Sequence, residues 1–169
     1  VATLCGDGWF EVGAMAALYQ FGSARDQQAA AQAVEGQIDV AVVATLVKWA
    51  FSASRPGADE TARHWFTGSF GDSSFASGHA MSAFSTAAIL GHAYQAEWLA
   101  FPLAALVAYS RVYNQAHWPA DTIAGAGLGT LIGYTVVALH AQAAAQEPAI
   151  RFTAVPLDNG AQVVVSWRY

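Results

Sequence analysis

Ser110-Arg111-Val112-Tyr113-Asn114-Gln115-Ala116-His117-Trp118-Pro119-Ala120-Asp121 is the stretch on which the reading of this chain turns. It sets a cation, an imidazole and a carboxylate inside an otherwise apolar third of the sequence. Proline suits the first turn of a helix, so Pro119 marks a helix entry, while the apolar run before it ends near Arg111. The spacing predicts helix, short loop, helix, with His117 and Asp121 one turn apart. A carboxylate so placed can accept a hydrogen bond from one ring nitrogen, which fixes the tautomer and leaves the other free to attack or to take a proton. Arg111 adds a planar fork of donors suited to an oxyanion. Standing alone, His117 and Asp121 would read as an ordinary pair on a helix surface. They do not stand alone, because two more cations form a tight cluster upstream.

Composition sets the frame. The 169 residues are 55% hydrophobic and 11% charged, with a mean hydropathy of +0.32, between a helical globular protein and a membrane protein. Alanine dominates and β-branched runs are scarce before the tail, which predicts an all-α fold of about five to six helices. One helical domain over 1–146 and a hairpin tail over 147–169, packed on or beside it, is the expected organisation. A formal charge of -5 excludes a nucleic-acid partner, which needs a basic stripe. The single cysteine, Cys5, permits no intrachain disulfide and reads as a buried or incidental thiol. The chain begins at Val1, for which a cleaved signal peptide is one explanation.

In chain order, helices are expected over Trp9–Phe21, ended by Gly22 and Ser23, then from near Asp26 to Phe51, Ser77 to Gln95, Trp98 to Arg111 and Pro119 to Ala145. Between Ser52 and Phe75 the residues are those of a long surface loop, and long loops in small domains usually serve function. Gly125, Gly127, Gly129 and Gly133 are spaced to let another helix pack closely. Thr122 to Leu139 carries no charge over 18 residues. It reads as a membrane span or as the buried centre of a soluble bundle. In the tail, Ala149–Val155 and Ala161–Trp167 flank Asp158-Asn159-Gly160, a hairpin signal.

Two further clusters bear chemistry. In Lys48-Trp49-Ala50-Phe51-Ser52-Ala53-Ser54-Arg55-Pro56, the chain's one lysine could simply snorkel at a helix end, and Arg55 could serve the helix terminus. In Phe75-Ala76-Ser77-Gly78-His79, Ser77 suits an N-cap, and a helix start presents unpaired backbone donors that glycine lets an anion approach. His79 has no capping role, and an imidazole that exchanges a proton with a leaving group belongs there. Together Lys48, Arg55, Arg111, Ser77 and Gly78 form a cage for a tetrahedral oxyanion, with His117 as nucleophile, Asp121 as its orienter and His79 as acid.

Lys, six residues, Arg-Pro; Ser-Gly-His; and Ser-Arg, five residues, His, three residues, Asp: this pattern resembles the signature of the type 2 phosphatidic acid phosphatase superfamily, which also includes bacterial acid phosphatases and vanadium-dependent haloperoxidases. The match runs from Lys48 to Asp121 and departs at Ala76, where the family's second motif usually has proline. The resemblance implies an in-line attack by His117 on phosphorus to give a phosphohistidine, with Asp121 holding its ring. His79 would protonate the leaving alkoxide and then activate water. Lys48, Arg55, Arg111, Ser77 and the Gly78 amide would bind the phosphoryl oxygens. No cofactor or metal is implied, vanadate is expected to inhibit, and Ser110 has a supporting role.

The resulting expectation is a metal-independent phosphatase acting on a phosphate ester, possibly a lipid. The alternatives are a vanadate-dependent haloperoxidase, whose family members are much longer chains, or a non-catalytic phosphate-binding bundle. The polar first half of the second helix and a fourth helix of about 14 residues, too short to cross a bilayer at about 1.5 Å per residue, favour a soluble, exported, periplasmic protein. A membrane-associated form with an outward-facing site is the alternative. His64, Trp65 and Phe66 either line the substrate entrance or pack locally. Trp118 is a wall beside His117 or a buried ring, His92 and His140 are ordinary helix residues, and Asp59 and Asp72 are turn residues. Substrate and oligomeric state are left open by the residues.

Overall fold

The computed structural model describes residues 8–57, 64–68, 73–146, 150–157 and 160–167. Among these residues lie five helices, α1 (Gly8–Phe21), α2 (Ala24–Phe51), α3 (Gly78–Tyr94), α4 (Glu97–Tyr113) and α5 (Pro119–Gln146), and two strands, β1 (Ile150–Leu157) and β2 (Gly160–Trp167). The fold is all-α with a short terminal hairpin, and every helix ends within two residues of its expected place. Cys5, Asp59 and Asp72 lie outside the described residues.

Contacts divide the chain into two units, Val1–Val137 and Ala138–Tyr169, so the last turns of α5 go with the hairpin. In the hairpin Ile150 pairs with Trp167 and Leu157 with Gly160. Gly160 is thus the first residue of β2, and the connecting residues are Asp158 and Asn159, outside the described residues.

In the first unit α3 is the central helix. Its small residues, Ala80, Ser82, Ala83, Ser85, Ala87, Ala88 and Gly91, are buried with Met81 and Ile89, and small residues allow several helices to approach one axis. Gly125, Gly129 and Gly133 of α5 meet the α3 backbone at Ser77, Met81 and Ser85. Residue numbers rise together along that seam, so α3 and α5 run parallel. Gly127, on another face, has nothing near it. On the opposite flank Gly36 of α2 lies against Ile89 and Ser85. Ala83 and Ala87 pack on Ala104 and Val107 of α4. Nearer the start of α3, Val40 and Ala44 of α2 enclose Ala76 and Met81, with Ala124 and Leu128 beside them. The small Ala76, standing where the resemblance expects proline, is fully buried there.

Ser23, which ends α1 in the sequence pattern, also caps α2. Its hydroxyl accepts from the Asp26 amide at 3.4 Å while Asp26 Oδ2 accepts from the Ser23 amide at 2.8 Å. This reciprocal capping box places the start of α2 two residues earlier than expected. Tyr94 donates to Asp26, and Arg25 lies over the Tyr94 ring at 5.2 Å, which ties the end of α3 to the start of α2.

The exterior of this unit is unusually apolar. Ile38, Leu46, Leu106 and Leu131 are each about 60% exposed. Both α2 and α5 are long and apolar enough to cross a membrane, yet only 33% and 28% of their most apolar stretches are buried. A soluble bundle would turn those faces inward. The fourth helix, whose shortness supported the soluble expectation, has 17 residues.

One buried carboxyl breaks the pattern. Glu11 of α1 lies in the bundle with Ser82 Oγ at 2.5 Å, and the same hydroxyl is 2.7 Å from Gln37 Oε1. Burial raises the Glu11 pKa above its ordinary value, partly offset by the Ser82 hydrogen bond. As pH climbs past the ordinary carboxyl value, the unfolded chain loses this proton while the folded chain keeps it, so stability falls until the raised folded value is passed. Glu11→Gln is therefore expected to melt higher than the parent chain by a margin that opens as pH rises. Thermal melts in detergent across a pH series would expose the idea as wrong if the margin did not change.

Candidate active site

Four backbone segments meet where α2 and α4 end and α3 and α5 begin. Lys48 lies in the last turn of α2, and Ser52, in the left-handed region at φ 38°, closes that helix. The Lys48 ammonium donates to the Ser73 carbonyl at 2.6 Å. Beyond the cap the chain pairs with the approach to α3. The Ala53 amide donates to Ser73 Oγ at 3.0 Å and the Ser74 amide to the Ala53 carbonyl at 2.8 Å. Arg55 Nη1 reaches the Ala116 carbonyl at 2.9 Å. Trp118 Nε1 donates to the Ser54 carbonyl at 3.0 Å, so this ring fastens two segments together.

Ser77 is the N-cap of α3, as its residue type predicts, and is fully buried. Its own amide donates to the Asp121 carbonyl at 3.0 Å, which joins the start of α3 to the start of α5. Gly78 is the first helical residue. A Cβ built on it would meet nothing within 4 Å. Packing therefore does not require glycine at this position, and the space before the α3 amides is open, as an anion's approach demands. His79 is half-buried in the same first turn.

The stretch quoted at the outset closes the site. After α4 the chain turns back, with the Ala116 amide on the Arg111 carbonyl at 3.0 Å and the His117 amide on the same oxygen at 3.3 Å. Ser110 Oγ donates to the Val107 carbonyl of its own helix at 2.7 Å. His117 is only 4% exposed and Asp121 is fully buried.

The histidine's partner differs from the one the spacing pointed to. Asp121 Oδ2 stands 3.8 Å from His117 Nδ1, outside hydrogen-bond range. Nδ1 is instead 2.7 Å from the Ser74 carbonyl. A carbonyl can only accept, so Nδ1 carries the hydrogen, and in the neutral ring Nε2 holds the lone pair. Asp121 Oδ2 accepts from Ser74 Oγ at 2.5 Å and from the Trp118 amide at 3.0 Å, the latter helping to start α5. Ser74 Oγ also lies 3.4 Å from Nδ1, between carboxylate and ring. Ser74 was missed in the sequence because a backbone carbonyl carries no residue-type signature. The only available signal was the Ser73-Ser74 pair just ahead of a helix start.

Arg111 carries the clearest sign of an absent ligand. Its Nε and Nη1 are buried and have no hydrogen-bond partner. Buried polar groups are nearly always satisfied, and a charged guanidinium left so is costly. An oxyanion would satisfy it. Among the described residues no cluster of histidine, cysteine and carboxylate side chains suits a metal ion.

The crystal structure of Aquifex aeolicus LpxE is similar, with a TM-score of 0.66 and 22% sequence identity over 81% of each chain, a likeness of fold. No curated protein matches the chain. The family described as the PAP2 superfamily matches residues 31–144, a span that contains all three motifs together with α3 and most of α2 and α5. On that match the chain belongs to the PAP2 superfamily.

Proposed function

We propose that the protein is a metal-independent phosphatase of membrane-resident phosphate monoesters, working through a phosphohistidine on His117. The observation that carries this reading is the pair of buried, unpartnered nitrogens of Arg111, Nε and Nη1, one loop away from an imidazole whose Nδ1 is already committed. In the first step Nε2 of His117 attacks phosphorus in line, the phosphorus–oxygen bond to the leaving group breaks, and His79 passes a proton to the departing alkoxide. In the second, His79 takes a proton from water, the hydroxide attacks phosphorus, the phosphorus–nitrogen bond breaks, and orthophosphate leaves.

Once phosphorylated, the His117 ring carries positive charge at Nδ1–H. The Ser74 carbonyl and the Asp121 carboxylate are arranged to favour it. Arg111, Lys48 and Arg55, with the Ser77 hydroxyl and the Gly78 amide, take the equatorial oxygens. In this reading protein groups supply all of the charge stabilisation. The exposed apolar faces of α2 and α5 support a chain inserted in a bilayer with the site at one face, and a helix of 28 residues, about 42 Å long, exceeds the hydrocarbon thickness of about 30 Å.

The test is phosphate release in EDTA from p-nitrophenyl phosphate and from phosphatidic acid in detergent, with and without vanadate. Metal-independent release blocked by vanadate is the expected result. Inactivity on both substrates, together with bromide oxidation when vanadate and peroxide are added, would overturn it in favour of an oxidase.

A further inference from the structure

Beside the phosphate cage stands a cluster of rings that the proposed chemistry does not use. Phe51, at the end of α2, meets Trp65 edge-on at 5.8 Å between centroids, Phe66 stacked at 6.4 Å and Phe75 edge-on at 5.1 Å. Trp65 and Phe75 meet at 5.3 Å. Four aromatic rings in mutual contact would ordinarily be core. Here Phe66 is 72% exposed, Trp65 42% and Phe51 39%.

The backbone holds the rings outward. The Phe66 amide donates to the Phe51 carbonyl at 2.9 Å, the Thr67 amide to the Ser52 carbonyl at 3.0 Å, and the Ser54 amide to the His64 carbonyl at 2.8 Å. The His64 amide is bonded to Ser54 Oγ at 3.0 Å. Phe66 itself sits at φ 58°, in a region that bulky side chains avoid. This short segment is thus laid along residues 51–54 as a second strip of chain, with its two largest side chains facing out.

The position of the rings names the partner. Phe51 lies three residues after Lys48 and four before Arg55, and Phe75 lies two before Ser77. Trp49 and Leu46, 65% and 63% exposed, lie in the last turns of the same helix. An aromatic cluster with one indole among its phenyl rings, at the end of a helix with an exposed apolar face, has the composition of the lipid–water boundary. The Trp65 indole pairs an apolar body with a polar edge, and the phenyl rings add apolar area.

We infer that Phe51, Trp65, Phe66 and Phe75 form a docking surface for the headgroup layer of a phospholipid bilayer, which holds the phosphate cage at the depth of the substrate's phosphate. Its activity readout rests on the proposed phosphatase reading, whereas its binding readout does not. The double substitution Trp65→Ala, Phe66→Ala is expected to lower kcat/KM for phosphatidic acid in phosphatidylcholine vesicles by at least about tenfold, mainly through KM, and to leave hydrolysis of p-nitrophenyl phosphate unchanged. Trp65→Phe with Phe66→Leu keeps the apolar surface and retains vesicle activity.

Independently of turnover, the fluorescence difference between the parent chain and Trp65→Phe reports Trp65 alone. In bilayers it is quenched by lipids brominated near the headgroup. Equal losses on both substrates, no loss on vesicles, or a Trp65 signal unquenched by shallow bromine would each overturn the docking surface. Inactivity of the parent chain on p-nitrophenyl phosphate combined with shallow quenching of Trp65 would sink the phosphatase reading and leave the surface standing.

Discussion

Replacing His117 with alanine is expected to lower phosphate release from p-nitrophenyl phosphate by on the order of 10⁴-fold or more, with little change in KM. The loss falls on kcat because the residue's work is a bond made during reaction. In the proposed reading, binding of the phosphate would belong to Arg111, Lys48, Arg55 and the donors at the start of α3, which the substitution leaves in place. Alkaline quench of the parent chain during turnover of a phosphorus-labelled substrate should trap a base-stable label that acid then releases and that the variant lacks. A variant with more than a tenth of parental kcat, or an equally labelled variant, would remove His117 from the nucleophile's role. Ser74 refines the experiment. Because its carbonyl, not its side chain, holds Nδ1 at 2.7 Å, Ser74→Ala keeps that bond and removes only the hydroxyl between ring and Asp121.

Gly129→Ala is expected to be the most damaging single methyl group in the helical unit. A Cβ there would stand 2.1 Å from the Met81 carbonyl oxygen, 2.8 Å from its carbon and 2.9 Å from its Cα. These are backbone atoms in the middle of a helix and cannot turn aside, so α3 and α5 must part. Overpacking of this kind costs about 3 kcal/mol or more, set against a gain of about 1 kcal/mol from helix propensity. Gly127→Ala is the matched control. It makes the same chemical change on the same helix where nothing lies within 4 Å, and should be neutral or stabilising by up to about 1 kcal/mol. Melting curves of the two variants in detergent decide the matter, and equal curves would mean that the seam between α3 and α5 is not closed. Activity should fall with the first variant, since Ser77 and Asp121 are joined across the top of that seam.

How far these features were legible in the residues depended on the kind of interaction. Helix ends were readable because Gly, Ser, Pro and Asn-Gly act locally, and the motif residues were readable because charges are rare in this chain. Glycines at 125, 129 and 133 could be read as a packing seam, but which of the four faced α3 needed the helix phase that the contacts supply. At His117 the spacing of four pointed to Asp121, which stands in ion-pair range at 3.8 Å, whereas the Ser74 carbonyl at 2.7 Å from Nδ1 could not be read because a backbone carbonyl leaves no mark in the letters. Ser23 was read as an ending when it is also a beginning. The soluble expectation was drawn from composition, which a buried helix and a lipid-facing helix share. The exposure of Ile38, Leu46 and Leu131 is information that the letters do not carry, and it favours the membrane-associated alternative.

The parallel run of α3 and α5 has a further electrostatic meaning. Each helix carries roughly half a positive elementary charge at its N-terminus. This pair, in contact along the glycine seam, places two positive poles side by side at Ser77 and Pro119, while the ends of α2 and α4 bring negative poles to the same end of the bundle. That alignment is unfavourable in an empty protein and favourable around an anion. The local field at the first turns of α3 and α5, which would favour an anion, is therefore partly stored in the topology of the main chain, where no side-chain substitution can discharge it.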